Sequence, residues 1–118
     1  MEERPQFGVE LLRPSADLAI VELEGEVDIY SSPQFREALS QGIGEGATRV
    51  VVDLAKVTFI DSTALGVVVG GVKSLRARGG SLDIVCRDDN IRRIFEITGL
   101  DRILGMYRSL DEALGATS

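Results

Sequence analysis

The residues of this chain that could carry chemistry are concentrated in one short segment, Asp61-Ser62-Thr63. The apolar run over residues 50–54, which lies shortly before it, lacks regular polar alternation and is typical of a strand buried on both faces. A helical pattern begins at Thr63, so Ser62 is predicted to be the N-cap of that helix, at the carboxyl edge of the sheet. A hydroxyl group in this position either caps the helix or carries a phosphate group, and both interpretations are open.

The residue types that most often serve catalysis and metal binding are scarce. The sequence contains no histidine, and Cys86 is its only cysteine, which is expected to be a small buried apolar residue. A zinc site, a histidine phosphocarrier and an internal disulfide are therefore not expected. The glycines at 66, 70 and 71 do not form a phosphate-binding loop. We expect no enzymatic activity, no cofactor and no metal.

Three aspartates are predicted to lie at or near the carboxyl edge of the sheet, at positions 28, 53 and 61. Single aspartates at strand ends are mostly turn formers and helix caps. If all three converged on one edge they could bind Mg²⁺, although nothing in their spacing defines a metal site. The phosphorylated aspartate of a response-regulator receiver is an alternative for Asp53. That fold expects an acidic pair after its first strand and a lysine after its last, whereas Arg13-Pro14 follows the first strand here and no lysine follows Lys73.

The composition predicts one globular domain over residues 1–118. The 118 residues are 44% hydrophobic, and 19 acidic against 13 basic side chains give a net charge of −6. This balance disfavours nucleic acid and anionic membrane surfaces as the main partner. The first four residues lack the apolar core of a signal peptide, and no apolar run is long enough to span a bilayer. We expect a cytoplasmic protein.

Strand and helix signals alternate along most of the chain. Strands are predicted at 7–12, 18–23, 48–54, 81–86 and 104–107, and helices at 32–46, 63–78, 88–99 and after Ser109, where Glu112 completes a capping box. The short turn at 13–17 makes the first two strands an antiparallel hairpin, and the helical crossovers make the later strands parallel. The sequence therefore predicts an α/β fold with a mixed, mostly parallel sheet of about five strands and about four helices.

The helix predicted at 63–78 has an unusual second face. Its core stripe is formed by Leu65, Val68, Val69, Val72 and Leu75, whereas Val67, Gly70, Gly71 and Ser74 lie off that stripe. Two glycines inside a helix cost about 1 kcal/mol each relative to alanine. Either close packing against another helix of the domain or the approach of a partner protein could offset this cost.

Several of these segments together resemble the STAS domain family, the sulfate transporter and anti-sigma-factor antagonist domains. The similar segments are 23–28 (Leu-Glu-Gly-Glu-Val-Asp), 51–54 (Val-Val-Asp-Leu), 59–66 (Phe-Ile-Asp-Ser-Thr-Ala-Leu-Gly) and 91–100, which resembles the family's third helix. Ala64 stands where the family usually has glycine, and Asp88 and Asp89 stand where many relatives have proline. The resemblance covers nearly the whole chain.

The resemblance implies an anti-sigma-factor antagonist that works by partner switching. Its phosphorylated serine would be Ser62, with Thr63 as the alternate, and the preceding Asp61 would help to align the hydroxyl group. The implied partner is an anti-sigma factor that is also a serine kinase of the ATP-binding, histidine-kinase-like fold, and a phosphatase would reset the cycle. The expected partner-binding residues are Asp28, Asp61, Ser62, Thr63, Ala64, Val67, Gly70 and Ser74. A STAS scaffold or transport-complex module without a phosphorylation cycle is the alternative within the family.

Overall fold

The computed structural model describes residues 7–115, in which five strands and four α-helices occur in the predicted order. The strands are β1 (Gly8–Leu12), β2 (Leu18–Val27), β3 (Arg49–Ile60), β4 (Ser81–Val85) and β5 (Gly105–Tyr107). The helices are α1 (Ser32–Gly44), α2 (Ser62–Arg76), α3 (Asp89–Ile97) and α4 (Leu110–Gly115), with a 3₁₀ turn at Leu100–Arg102. Residues 1–4, which lack the apolar core of a signal peptide, lie outside the described residues.

The strands form one sheet in the order β1-β2-β3-β4-β5. The β1–β2 pair is antiparallel, and the other three pairs are parallel. Antiparallel neighbours can be joined by a tight turn, whereas parallel neighbours need a crossover, here provided by α1, α2 and α3. The predicted α/β fold with a mostly parallel sheet and an initial hairpin is confirmed.

The two faces of the sheet are covered unequally. Val50 and Val52 of β3 belong to the main core, together with the buried residues of α1, α2 and α3. Val51, between them, points to the other face and joins a smaller cluster with Ala113 of α4. This alternation explains why the run at 50–52 is uniformly apolar, since each strand side chain faces one of two covered sides. In the described part, no helix combines the length and the apolar character needed to cross a membrane.

The predicted end of β3 is wrong, because the strand continues to Ile60 rather than stopping near residue 54. The residues after 54 include polar ones such as Lys56, and β3 accommodates them in the ladder through two register shifts against β2. The second shift lies next to Gly25, whose φ of +90° suits a residue without Cβ. As a result, β2 and β3 extend together beyond β4 and carry the start of α2 with them.

Helices α1 and α2 pack closely because Gly71 has no side chain. A Cβ atom at this position would lie 2.7 Å from Cδ2 of Leu39 and 3.0 Å from Cδ1 of Leu82. Close packing within the domain therefore explains this glycine. The neighbouring Gly70 is exposed, and a Cβ atom there would meet no other atom within 4 Å. Packing leaves Gly70 unexplained.

Candidate functional site

The start of α2 is capped by Asp61, so the prediction that Ser62 is the N-cap is wrong. The Asp61 carboxylate accepts hydrogen bonds from the backbone N–H groups of Thr63 at 2.9 Å and Ala64 at 3.2 Å. Ser62 is instead the first residue of the helix. Aspartate and serine are about equally good caps, so the sequence could not decide between adjacent positions.

The Asp61 carboxylate also holds groups outside the cap. The Thr63 hydroxyl donates to it, and the backbone N–H of Ile29, in the loop between β2 and α1, lies close enough to affect its pKa. The Thr63 hydroxyl first, and then the backbone donors, lower the pKa of Asp61, while partial burial opposes them. The group is therefore a weak base that fixes the first turn of α2, and no hydrogen bond among the described residues links it to the Ser62 hydroxyl.

Ser62 and Thr63 differ sharply in what their hydroxyl groups contact. The Ser62 side chain is exposed, and within residues 7–115 its hydroxyl group makes no hydrogen bond. The Thr63 side chain is half-buried, donates to Asp61, and lies 3.1 Å from the hydroxyl oxygen of Ser32. Of the two candidate acceptors, only Ser62 offers an unengaged hydroxyl group to an incoming protein. It does so at the positive end of the α2 dipole.

Asp28 lies next to Asp61 because β2 and β3 end side by side. Val27 pairs with Ile60, and the Asp61 N–H donates to the Val27 carbonyl at 3.2 Å. The Asp28 carboxylate accepts from the backbone N–H groups of Tyr30 at 2.9 Å and Ser31 at 3.1 Å. Asp28 therefore fixes the loop that runs beside the start of α2.

Ser31 is the N-cap of α1, which begins at Ser32 as predicted. Its hydroxyl group does not bond the first turn of the helix. Instead it donates to the Glu26 carbonyl at 2.8 Å and accepts from the Asp28 N–H at 2.9 Å. The buried hydroxyl therefore stabilises the end of β2 rather than the helix.

Asp53 does not join the other two aspartates, so the expected convergence of three carboxylates is wrong. It lies within β3, paired with Glu22 and Val85, and its side chain accepts from the Ala55 N–H at 2.9 Å. Six residues of β3 lie between Asp53 and Ile60, which are about 20 Å apart along the strand. The described residues contain no group of three or more histidine, cysteine, aspartate or glutamate side chains arranged for a metal.

The predicted partner-binding residues on α2 divide into exposed and buried sets. Gly70 and Ser74 are exposed, whereas Ala64 and Val67 are each only 3% exposed. The expectation that Val67 faces away from the core is wrong, because close packing with α1 turns this side of the helix inward. Val67 instead lies at the base of a groove between α1 and α2, whose upper walls include Arg36, Ser40 and Ser74.

Two features of this edge were not predicted from the sequence. Gly66 is exposed on the same side of α2 as Gly70. Ile29, Tyr30 and Phe59 are large apolar residues with exposed side chains close to the start of α2. For Ile29 and Tyr30 the sequence did carry a signal, because these two large apolar residues lie between Asp28 and Ser31 in a segment otherwise composed of turn-forming residues.

Comparison with known proteins agrees with this geometry. The profile of the STAS domain matches residues 12–113. An anti-sigma-B factor antagonist of Listeria monocytogenes is 39% identical over 99 residues, covering 83% of this chain and 86% of the relative. The crystal structure of an anti-sigma factor antagonist from Mycobacterium paratuberculosis has a TM-score of 0.86 at 25% identity, with 98% and 97% of the two chains covered.

The fold is also shared by the phosphorylated form of the Bacillus cell fate determinant SpoIIAA. That structure has a TM-score of 0.75 and 23% identity, and 94% of this chain and 100% of that chain are covered. The chain belongs to the STAS domain family and groups with its anti-sigma-factor antagonists.

Proposed function

We propose that this chain is a cytoplasmic anti-sigma-factor antagonist that exchanges partners according to the state of Ser62. The unphosphorylated protein binds an anti-sigma factor, which then releases its sigma factor. The same anti-sigma factor is a serine kinase. It transfers the γ-phosphoryl group of ATP to the Ser62 oxygen, which loses its proton, and ADP leaves. The phosphorylated chain dissociates, and a phosphatase restores the hydroxyl group.

The observation that carries this proposal is the exposed, unengaged hydroxyl of Ser62 at the first residue of α2. A kinase can approach it without unfolding the helix, whereas the Thr63 hydroxyl is already donated to Asp61. The similarity to an anti-sigma-B factor antagonist over 83% of the chain supports the same assignment. Asp61 then acts by fixing the backbone on both sides of Ser62, not by accepting its proton.

A phosphate group at Ser62 is compatible with the fold. Phosphoserine carries about −1.5 to −2 charges near neutral pH. An anion at a helix N-terminus is stabilised by about 0.3–1 kcal/mol, so α2 should persist after modification. The effect of the phosphate is therefore expected at the surface where a partner docks.

The same phosphate opposes the docked partner by charge and by size. It stands beside the Asp61 carboxylate, which is ionised at neutral pH. Water screens their repulsion in the free chain, but a docked partner displaces that water, and like charges about 6 Å apart at an effective dielectric constant near 20 repel by roughly 3 kcal/mol. Since about 1.4 kcal/mol changes affinity tenfold, a loss of two orders of magnitude needs no change of fold.

The proposed partner surface consists of exposed groups around this serine and along α2. Asp28, Asp61 and Thr63 shape its edge, and Gly70 and Ser74 extend it along the helix. Ala64 and Val67 lie beneath that surface, where they support the helix rather than contact the partner with much of their side chains. We therefore expect substitutions at Gly70 and Ser74 to affect binding directly.

The test is to react the purified chain with its anti-sigma factor, ATP and Mg²⁺, and to locate the phosphate by mass spectrometry. We expect one acid-stable phosphate on Ser62, none on Ser62→Ala, and unchanged uptake by Asp53→Asn. Acid-labile phosphate lost in Asp53→Asn would support the receiver-like alternative. Stable binding without phosphate uptake would support a scaffold STAS module instead.

A further inference from the structure

Three large apolar side chains remain exposed at the edge that carries Ser62. The exposed fractions are 61% for Ile29, 82% for Tyr30 and 48% for Phe59, and we call these three residues the apolar patch. Single exposed apolar residues are common on protein surfaces, but a group at one edge indicates a contact surface. Another large exposed apolar residue of the described chain is Ile97, which is 75% exposed and is the last residue of α3, away from this edge.

The apolar patch is continuous with the proposed phosphorylation site. Ile29 lies two residues after Val27, whose carbonyl accepts from the N–H of Asp61, the residue before Ser62. Phe59 lies three residues before Ser62 on β3, where it pairs with Glu26 of β2. Since a protein interface covers about 800 Å² on each partner, a kinase docked at Ser62 is expected to reach residues this near.

The loop that carries Ile29 and Tyr30 is held in place before any partner arrives. Its backbone is fixed by the Asp28 carboxylate, which accepts from Tyr30 and Ser31, and by the buried Ser31 hydroxyl. An exposed tyrosine on a fixed loop loses little backbone entropy when it docks. Tyrosine is also among the residues that most often dominate binding energy at interfaces.

We propose that the apolar patch is an anchor for the anti-sigma factor, which receives Tyr30 and Ile29 in an apolar pocket. The rim of that pocket carries basic side chains, because Glu26 and Asp28 flank the patch with negative charge and this chain is acidic overall. The inference rests on the proposed function and adds to it the residues and the chemistry that supply the affinity.

Recognition is then divided between two parts of the same edge. The anchor contacts the kinase equally before and during phosphoryl transfer, while the Ser62 oxygen alone changes in the reaction. Interactions made equally in the ground state and in the transition state lower KM without changing kcat. Loss of the anchor should therefore appear in KM and Kd and leave kcat unchanged.

The experiment measures Ser62 phosphorylation kinetics and anti-sigma factor binding for Tyr30→Ala. We expect KM and Kd to rise by about tenfold or more, with the same kcat, as for loss of an interface tyrosine. Tyr30→Phe should retain most of the affinity, because the ring and not the hydroxyl group supplies it. Ile97→Ala should change neither constant, since the last residue of α3 lies at the edge of the sheet opposite Ser62. Equal urea midpoints for all the variants show that the fold is intact.

Three outcomes would overturn the anchor. Unchanged KM and Kd for Tyr30→Ala, with the wild-type chain phosphorylated normally on Ser62, would refute it and leave the proposed function standing. An equal loss in Ile97→Ala would show that the effect is not specific to this edge. A wild-type chain that neither binds nor accepts phosphate would refute the proposed function itself, and the anchor with it.

Discussion

The hydroxyl oxygens of Ser32 and Thr63 lie 3.1 Å apart, and this hydrogen bond joins the first turn of α1 to the first turn of α2. Since the Thr63 hydroxyl donates to Asp61, the Ser32 hydroxyl must be the donor to Thr63. Asp61 also donates its own N–H to the Val27 carbonyl at the end of β2. These hydrogen bonds fix the end of β2 and the first turns of α1 and α2 relative to one another.

This network predicts a measurable coupling between Ser32 and Thr63. Ser32→Ala should lower the free energy of unfolding by about 1 kcal/mol, and Thr63→Val by more, because Thr63 also donates to a carboxylate. The double variant should lose less than the sum of the two, by about 0.5 kcal/mol or more. Urea denaturation of the wild type, the two single variants and the double variant gives the four free energies of unfolding. Ser62→Ala, which removes an exposed and unbonded hydroxyl group, is the control, and strict additivity would contradict the network.

The lowered pKa of Asp61 predicts a pH-dependent contribution to stability. A carboxyl group whose folded pKa lies below its ordinary value of 3.8 stabilises the fold fully above that value. The contribution is lost as pH falls through 3.8 towards the folded pKa. Asp61→Asn keeps the shape and should be about 1 kcal/mol less stable than wild type at pH 7. This gap should be constant above about pH 5 and should narrow below about pH 4. Denaturation curves over this range check it, and a gap that widens in acid would contradict the assignment.

The adjacent glycines of α2 should respond in opposite ways to alanine. Gly71→Ala introduces a Cβ atom 2.7 Å from Leu39, whose side chain is buried and has little room to move. Overpacking of this kind costs about 1–3 kcal/mol, which exceeds the gain in helix propensity. Gly70→Ala meets no atom and should stabilise by about 0.4–1 kcal/mol. Thermal denaturation compares the two, and equal effects would contradict the packing of α1 on α2.

The binding of the anti-sigma factor provides a separate test of Gly70. If the anti-sigma factor approaches closely over Gly70, the added methyl group weakens binding even though it stabilises the free chain. A calorimetric titration of Gly70→Ala with the anti-sigma factor measures this effect. Affinity equal to wild type would remove Gly70 from the partner surface and leave the rest of the site in place.

The order of the elements was predictable from the sequence because the helices have periodic apolar positions and capping residues, and the strands are short apolar runs. Asp88, directly before the helical pattern of α3, caps the helix through the N–H groups of Asn90 and Ile91. Ser109 accepts from the Glu112 N–H as the capping box predicts, while the Glu112 carboxylate accepts from Arg108 rather than Ser109. These signals are local, so three or four residues were sufficient to find them.

The predictions that were wrong concern features that depend on contacts between distant segments. The continuation of β3 past Lys56 is set by register shifts against β2, and the burial of Val67 is set by the approach of α1. Neither appears in the periodicity of a single segment. The exposure of Tyr30 was missed because the turn-forming residues around it predict a loop but do not fix the direction of the side chains in that loop.

The affinity of the anti-sigma factor for the chain before and after phosphorylation of Ser62 tests the central claim most directly. The account predicts that the phosphorylated form binds at least about a hundredfold more weakly, that Ser62→Glu is also weakened, and that Ser62→Ala binds like the unphosphorylated protein. The phosphorylated chain should unfold at about the same temperature as the unmodified chain, which separates a blocked surface from a lost fold. Equal affinity of the two forms would contradict the proposal that Ser62 controls the exchange of partners.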